Sequence, residues 1–211
     1  MIGVYILTII ISYLIGSLPT GYLAGKARGV DIRTVGSGNI GATNVLRVLG
    51  KTAGISVLLV DGFKGFAATW WVPLIALQIF PSPSNQKENL PLVAGVSAVL
   101  GHIYTCWLRF RGGKGIATSA GVAMAWAPLA CLSTLGIWTL VFAGTRFVSV
   151  ASIVAAVVLP IGVWIFGGSG MMIGVMTALS VLAIYRHKAN ISRLMEGTEH
   201  RASFKKDQPA P

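Results

Sequence analysis

The chain has 211 residues, of which 54% are hydrophobic and only 11% are charged. This composition excludes a soluble globular domain, which needs more polar residues to cover a surface of that size. The 17 lysines and arginines outnumber the 6 acidic residues and give a net charge of +11. In so apolar a chain, that excess indicates the cytoplasmic loops of a membrane protein rather than a nucleic-acid partner.

Apolar runs long enough to cross a membrane divide the chain, since a span needs roughly 20 apolar residues. The first run covers 2–25, the second about 54–80 and the third 91 to about 108. The stretch 115–185 has room for four further spans, the first of them short, with breaks at Ala127-Pro128, Gly144-Thr145-Arg146 and Gly167-Gly168-Ser169-Gly170. The first run is too long for the core of a signal peptide and is predicted to be retained. The sequence therefore predicts an all-α bundle of seven transmembrane helices.

Basic residues gather in the connections that follow the first, third, fifth and seventh spans. The positive-inside rule then predicts an external N-terminus and a cytoplasmic C-terminus. The connection 81–89 holds only Lys87 beside Glu88, as expected of an external loop. Five spans, with re-entrant pieces within 115–186, form the alternative and leave the same connections cytoplasmic. One domain is predicted over 1–200, with a polar and disordered tail over 201–211.

A glycine-rich polar segment, 36–44, follows the first span and precedes Arg47. It matches the dinucleotide pattern G-x-G-x-x-G, but both flanks are membrane spans, which excludes the βαβ unit that the pattern requires. Its glycines would expose backbone N–H groups, and its Ser, Thr and Asn side chains would add short donors. The segment predicts an anion site, and a flexible loop punctuated by glycines is the alternative.

A second polar segment begins at His102, near the end of the third span, and continues through Gly112-Gly113-Lys114-Gly115. Adjacent glycines permit close backbone approach to a phosphate, and the lysine adds a point charge. The segment is not a P-loop, because the required Ser or Thr after the lysine is missing. A positively charged loop with a glycine turn is the alternative.

A third polar segment follows the last span and contains His187, Asn190, Arg193 and Glu199. On a helix that continues from that span, the first three of these residues lie on one side. This predicts a polar face for a ligand. Structural hydrogen bonding by the histidine is the alternative, since most lone histidines have that role.

Two charged residues, Asp61 and Lys64, lie three positions apart inside the second span. A charge at the bilayer centre costs about 2.5 to 3.5 kcal/mol, so the two side chains are expected to face the bundle interior or its aqueous edge. A structural ion pair is the favoured interpretation, and contact of Lys64 with an anion is the alternative. The two cysteines, Cys106 and Cys131, lie in apolar stretches without metal-ligand spacing, and no metal or cofactor is predicted.

The three segments together resemble the motifs of the PlsY family, the bacterial membrane glycerol-3-phosphate acyltransferases that use acyl phosphate as donor. The resemblance covers nearly the whole chain and keeps the order of the three motifs. Its residues are Ser37-Gly38-Asn39, Gly41-Ala42-Thr43-Asn44 and Arg47, then Gly101-His102 and Gly112-Gly113-Lys114-Gly115, then His187, Asn190, Arg193-Leu194, Gly197 and Glu199. Gly16-Ser17-x-Pro19 and Asp61-x-x-Lys64-Gly65 are also similar to the family.

The resemblance implies transfer of an acyl group from acyl phosphate to the 1-hydroxyl of glycerol 3-phosphate, which gives lysophosphatidic acid and phosphate in the first step of phospholipid synthesis. It implies a bacterial cytoplasmic (inner) membrane protein whose active site faces the cytoplasm. The expected partners are the two substrates, membrane lipid and the peripheral enzyme PlsX, which makes acyl phosphate. No nucleic acid is expected to bind.

The residues assigned to catalysis are Ser37, Arg47, Lys114, His187 and Asn190. The residues assigned to substrate contacts are Gly38, Asn39, Gly41, Thr43, Asn44, Lys64, His102, Gly112, Gly113, Gly115, Ser149, Ser152 and Arg193, with Asp61 and Glu199 as structural residues. Arg47 and Lys114 would bind phosphate, and the Gly112-Gly113 backbone would orient oxygens. The proton of the acceptor hydroxyl would pass to His187 or to a phosphate oxygen of a substrate.

Two other functions compete with this interpretation. An acyl-CoA-dependent acyltransferase would use similar physical features, and only the resemblance favours acyl phosphate. The His-x4-Asp dyad of another large acyltransferase class is absent, because Trp107, Ser192 and Lys205 stand five residues after the three histidines. A transporter of anionic compounds would also place charges within spans, but it would favour inverted repeats and polar groups at the midplane, and the sequence contains neither.

Overall fold

The computed structural model describes residues 2–81 and 89–202, and this part of the chain is all-α, as predicted. Its α-helices are α1 (Ile2–Ser17), α2 (Thr20–Lys26), α3 (Ala42–Leu49), α4 (Lys51–Ile79), α5 (Leu90–Ile103), α6 (Ile116–Trp126), α7 (Pro128–Thr145), α8 (Val148–Ile165), α9 (Gly170–Arg186) and α10 (Lys188–Met195). A short 3₁₀ helix, Cys106–Leu108, follows α5. The predicted external residues Lys87 and Glu88 and the predicted tail beyond 202 lie outside the described residues.

The number of spans is only partly settled by helix length. Five helical segments of the described residues are long and apolar enough to cross a membrane, and a sixth is reached if α9 and α10, which meet at 52°, form one span. The chain is therefore a multi-pass membrane protein. Helix α6 has 11 residues, or roughly 16 Å at about 1.5 Å per residue, against a hydrocarbon core of about 30 Å. Seven spans and the sidedness of the termini stay predictions.

The predicted breaks in the second half of the chain coincide with real helix ends. Helix α6 ends and α7 begins at Ala127-Pro128, and α7 ends at Thr145, with Arg146 in the left-handed region at φ 63°. Helix α9 begins after Ser169, whose hydroxyl accepts a hydrogen bond from the Met172 backbone N–H. Glycine, proline and an N-cap serine thus set these boundaries as the sequence indicates.

A break within the first span was not predicted. Helix α1 ends at Ser17 and α2 begins at Thr20, because Pro19 lacks an N–H group and disfavours helical backbone at Leu18. Two carbonyls at the break accept hydrogen bonds from other parts of the bundle. Ser17 accepts the Thr105 hydroxyl at 2.6 Å, and Leu18, which also accepts the Thr20 N–H, accepts the Lys64 ammonium at 2.8 Å. The break is therefore tied to α4 and to the segment after α5.

Small residues bring the helices of the bundle into direct backbone contact. A Cβ added at Gly65 would collide with the carbonyl of Thr118, and one added at Gly121 would collide with the carbonyl of Gly62, so α4 and α6 pack backbone against backbone. Gly16 packs against the backbone of α5 in the same way. Membrane helices depend on such close packing because lipid removes the hydrophobic drive for helix association.

The α4–α6 contact gives a stability test. Gly121→Val should destabilise the folded protein by roughly 1 to 3 kcal/mol, because the side chain has no space against the Gly62 carbonyl. Thermal unfolding in detergent should show a lower midpoint. Gly136→Val is the matched control, since Gly136 is an exposed helical glycine with nothing near its Cβ position. Equal midpoints for the two variants would contradict the packing described here.

Candidate anion-binding site

The first polar segment is an ordered loop built around the side chain of Asn44, which is 2% exposed. Its amide oxygen accepts the Ser37 backbone N–H at 2.8 Å, and its amide nitrogen donates to the carbonyls of Ile32, Val35 and Asn39. These bonds use both amide hydrogens. The structure therefore corrects the assignment of Asn44 to substrate contact, because this side chain holds the loop.

Backbone donors of the same loop are also engaged within it. The N–H of Gly38 donates to the Val35 carbonyl at 3.1 Å, and the N–H of Gly41 donates to the Asn39 side-chain oxygen at 2.8 Å. The predicted role of these glycines and of Asn39 as ligand-binding groups is thus replaced by a role in loop geometry, with Gly38 at φ 68°. The groups that reach solvent are the side chains of Ser37, Thr43 and Arg47.

The second polar segment folds back onto the end of α5. The N–H of Gly112 donates to the Ile103 carbonyl at 3.0 Å, and the N–H of Gly113 donates to the His102 carbonyl at 3.1 Å. The prediction that these N–H groups orient substrate oxygens is wrong for this structure, because both are already used. Glycine is needed for a different reason: a Cβ at Gly113 would collide with the ring of His102, and one at Gly112 with the His102 carbonyl.

Lys114 follows this fold-back and reaches the third polar segment. Its ammonium donates to the Oδ1 atom of Asn190. Burial lowers the pKa of Lys114 to about 8; the charge of Glu199 raises it, and the charges of Arg193, Arg47 and Arg186 lower it further. Gly115, which is buried at φ 86°, then turns the chain into α6.

Glu199 is the centre of the third segment. Its Oε1 atom accepts hydrogen bonds from the amide of Asn190 at 2.7 Å and from the hydroxyl of Ser149 at 2.9 Å, and its Oε2 atom accepts from the Nε of Arg193 at 2.7 Å. Burial opposes ionisation of Glu199, but the bonds from Asn190, Ser149 and Arg193 outweigh it and lower its pKa. The geometry supports the structural role predicted for Glu199.

The orientation of Asn190 follows from these bonds. An amide nitrogen only donates, so its bond to Glu199 fixes the amide oxygen toward Lys114. His187 is buried, and its Nδ1 lies 2.7 Å from the Ala183 carbonyl. A carbonyl only accepts, so Nδ1 carries the hydrogen, and Nε2 is the atom that could accept a proton when the ring is neutral.

Arg47 completes the group of charges. It lies on the exposed side of α3, one turn after Thr43. Partial burial lowers the pKa of Arg47, while the charge of Glu199 raises it and that of Arg193 lowers it. The first motif therefore lies within electrostatic range of the third, and the third contacts the second through Lys114. The structure brings all three predicted segments to one site.

Besides Asn44 and Ser149, three further residues assigned to substrate contacts lie elsewhere or are already paired. Lys64 is buried in an ion pair with Asp61 at 2.8 Å and also donates to the Leu18 carbonyl, so its ammonium is already paired within the bundle. His102 is buried beside the same carboxylate at 3.6 Å. Ser152 accepts the indole N–H of Trp138 at 3.2 Å and is 4% exposed. The structural role predicted for Asp61 agrees with this geometry.

Sequence reasoning missed two features beside the site. Arg186 was counted only as a charge that fixes topology, yet it lies over the Tyr104 ring and close to the carbonyls of the second motif, and it lowers the pKa of Lys114. Its position directly before His187 was the available signal. The segment after α10 also crosses the α7–α8 connection, with the Ala202 N–H donating to the Arg146 carbonyl at 2.8 Å.

The arrangement has the chemistry of an anion site at the edge of an apolar bundle. The charges that influence the pKa of Lys114 are one carboxylate, Glu199, and three guanidinium groups, those of Arg47, Arg186 and Arg193, so positive charge is in excess around Lys114. Beside Glu199 lies an open depression of about 440 Å³ lined also by Phe147, Leu194, Gly197 and Arg201. Cationic side chains of this kind bind phosphoryl oxygens, and the apolar surface of the bundle is suited to a lipid tail.

Comparison with known proteins places the chain among membrane acyltransferases. The family described as glycerol-3-phosphate acyltransferase matches residues 6–197. The glycerol-3-phosphate acyltransferase of Geotalea daltonii is 44% identical over 92% of this chain and 96% of its own length, and that of Geobacter sulfurreducens is 43% identical over 95% and 98%.

Two solved structures of PlsY, an integral membrane glycerol 3-phosphate acyltransferase, share the fold. The glycerol 3-phosphate form has a TM-score of 0.84 and 39% identity, covering 94% of this chain and 96% of that one. The lysophosphatidic acid form has a TM-score of 0.81 and 38% identity, covering 94% and 95%. The family resemblance of the three motifs is confirmed, and the chain belongs to the glycerol-3-phosphate acyltransferase family.

Proposed function

We propose that this chain transfers an acyl group from acyl phosphate to the 1-hydroxyl of glycerol 3-phosphate, which yields lysophosphatidic acid and inorganic phosphate. The observation that carries the proposal is the hydrogen bond from Lys114 to Asn190, which joins the second and third motifs among an excess of cations. Family membership supports acyl transfer to glycerol 3-phosphate. The glycerol 3-phosphate form of PlsY supports the acceptor, and the lysophosphatidic acid form supports the product.

The reaction suits a site that positions its two substrates and forms no covalent intermediate with the enzyme. The acceptor oxygen attacks the acyl carbonyl carbon, a new ester C–O bond forms, and the C–O bond to the phosphate leaving group breaks. An acyl phosphate is a mixed anhydride, so the leaving phosphate departs readily. The enzyme then needs to align the two substrates and stabilise developing negative charge.

The two main cations have different tasks. Arg47 reaches solvent and presents a planar fork that matches two phosphoryl oxygens, whereas Lys114 is half-buried and acts as a point charge. Ser37 and Thr43 lie exposed in the same motif as Arg47 and can donate hydroxyl hydrogens to a bound phosphate. Arg193, held through its Nε by Glu199, adds a further charge.

The acceptor proton has two candidate destinations. One is the Nε2 atom of His187, which remains free to accept because Nδ1 donates to Ala183. The other is a phosphate oxygen of a substrate. A proton accepted by acyl phosphate would leave with the inorganic phosphate, whereas one accepted by glycerol 3-phosphate would stay on the phosphate of lysophosphatidic acid. Asn190 and His187 lie three residues apart at the start of α10, on the side of Lys114, and would hold the glycerol hydroxyl.

The location proposed is the bacterial cytoplasmic membrane, with the site at the cytoplasmic face. The positive-inside distribution supports this, because every connection that contributes a site cation is among the basic connections. Acyl phosphate would come from the peripheral enzyme PlsX at the same face. The gathering of the motifs at one end of the helices favours an enzyme over a transporter, whose polar groups would be expected near the midplane.

The donor can be tested directly. Purified protein supplied with glycerol 3-phosphate and acyl phosphate should form lysophosphatidic acid, measured with labelled glycerol 3-phosphate, because the mixed anhydride needs no further activation. Acyl-CoA in place of acyl phosphate serves as the control and should give little product. Product from acyl-CoA alone would overturn the donor assignment and favour the acyl-CoA-dependent alternative.

Charge removal tests the phosphate contacts. Arg47→Ala and Lys114→Ala should each reduce activity by about 100-fold or more, since each removes a charged group that faces the phosphate. Arg28→Ala and Lys51→Ala, which remove exposed cations at other positions, are matched controls and should stay near the wild-type rate. Size-exclusion profiles and thermal midpoints would confirm that the variants are folded. Near wild-type rates for the first pair would refute the assignment.

The pKa of Lys114 predicts a pH dependence. Only the protonated amine attracts phosphate, so kcat/KM for glycerol 3-phosphate should fall as the pH rises through about 8. The charge of Glu199 raises the pKa of Lys114, so Glu199→Gln should move this fall to lower pH. Glu196→Gln, an exposed carboxylate bonded to Ser192, is the control and should leave the midpoint in place. A midpoint that Glu199→Gln does not move would contradict the coupling.

A further inference from the structure

A polar cluster in the bundle connects the first two motifs. It consists of the buried residues Asp61, Lys64 and His102, of which His102 belongs to the second motif, and of the partly buried Thr20. The other three members converge on one oxygen of Asp61. That Oδ1 atom accepts the Thr20 hydroxyl at 2.5 Å, lies 2.8 Å from the Lys64 ammonium and lies 3.6 Å from Nδ1 of His102. Asp61 itself is 2% exposed.

One side of this cluster leads to the first motif. Thr20 begins α2, and its neighbour Gly21 packs so closely against the carbonyl of Ile40 that a Cβ there would collide with it. Ile40 belongs to the loop that Asn44 holds together, directly before α3 and Arg47. The position of α2 therefore sets the position of the first motif.

The other side leads to the second motif. The carbonyl of His102 accepts the Gly113 N–H at 3.1 Å, and the ring Nε2 lies where a side chain on Gly113 would be. Lys114 is the next residue. The imidazole that contacts Asp61 on one side thus supports, on the other, the backbone that carries the phosphate-binding lysine.

The break in the first span also depends on the cluster. Lys64 donates to the Leu18 carbonyl at 2.8 Å, and this carbonyl lies at the break, directly before Pro19. A buried charge is costly in a bilayer, and an i,i+3 ion pair within one helix offsets part of that cost without any contact to another helix. Here the pair instead links α4 to the α1–α2 break and to the end of α5.

We propose that Asp61 is a positioning residue for acyl transfer, which holds α2 and His102 on one carboxylate oxygen and so fixes the distance between Arg47 and Lys114. The inference rests on the proposed function. Asp61 is 2% exposed and therefore closed to a substrate. Its effect reaches the reaction through Gly21 and Ile40 on one side and through Gly113 on the other. Loss of the Thr20 bond would let the first motif shift relative to the second.

Thr20→Val is the sharpest test, because it removes one hydroxyl with almost no change of shape and leaves the Asp61–Lys64 pair intact. It should raise the KM for glycerol 3-phosphate and lower kcat/KM by about tenfold, the size expected for a hydrogen bond to a charged group. Thr20→Ser keeps a hydroxyl at this position and should therefore have wild-type values of KM and kcat/KM. Thr69→Val is the matched control: its hydroxyl bonds only to the Gly65 carbonyl of its own helix, and its KM should not change.

The KM separates positioning from stability. A purely structural role would reduce the amount of folded enzyme, and the remaining folded molecules would keep the wild-type KM. A wild-type KM for Thr20→Val would therefore overturn the inference, as would an equal change in Thr69→Val. Failure of wild-type protein to make lysophosphatidic acid from acyl phosphate would instead refute the proposed function, so the two failures are distinguishable.

A second variant avoids dependence on a single substitution. Removal of the Asp61 carboxylate alone would strand a buried ammonium, so Asp61→Leu is combined with Lys64→Met to leave the site neutral. Asp61→Leu with Lys64→Met should fold, as judged by its thermal midpoint, and still show a raised KM because Thr20 and His102 lose the oxygen on which they converge. A stable double variant with a wild-type KM would show that the pair serves stability alone and would overturn the inference.

Discussion

The site depends on one carboxylate that accepts from three directions. Glu199 accepts hydrogen bonds from Asn190, Ser149 and Arg193. Because the amide nitrogen of Asn190 donates to Glu199, the amide oxygen faces Lys114. A lysine half-buried among arginines would otherwise lose its proton more easily, since burial already lowers its pKa to about 8. The anion thus organises the cations before any substrate arrives and remains outnumbered by them.

Much of the fold could be predicted because its determinants are local. Proline and glycine residues predict the breaks at Ala127-Pro128 and at Gly167–Gly170, and helices end there. The meeting of the three motifs could be predicted from the positive-inside rule together with the family resemblance. The break at Leu18-Pro19 was missed, because a single proline in an apolar run is also compatible with a kinked but continuous helix. Partners from α4 and from the segment after α5 stabilise the interruption.

The partners of individual polar groups could not be predicted, because hydrogen bonds depend on distances of a few tenths of an ångström between elements far apart in sequence. Asn44 and the Gly112-Gly113 pair have the composition of ligand-binding groups, yet they complete the loop and the fold-back instead. Arg186 shows the opposite case, since a residue that looks like a topological charge lies beside the site. Which polar groups remain for a ligand is decided only after the loops have satisfied their own backbones.

The fold-back of the second motif has a further consequence for the way this site recognises phosphate. Many phosphate sites rely on backbone N–H groups, which carry no titratable charge and respond weakly to dissolved ions. Here the N–H groups of Gly112 and Gly113 are sealed against the end of α5, which leaves ammonium and guanidinium side chains to provide the attraction. Dissolved ions screen the charges of such side chains. The affinity for the substrate should therefore fall as the ionic strength at the membrane surface rises.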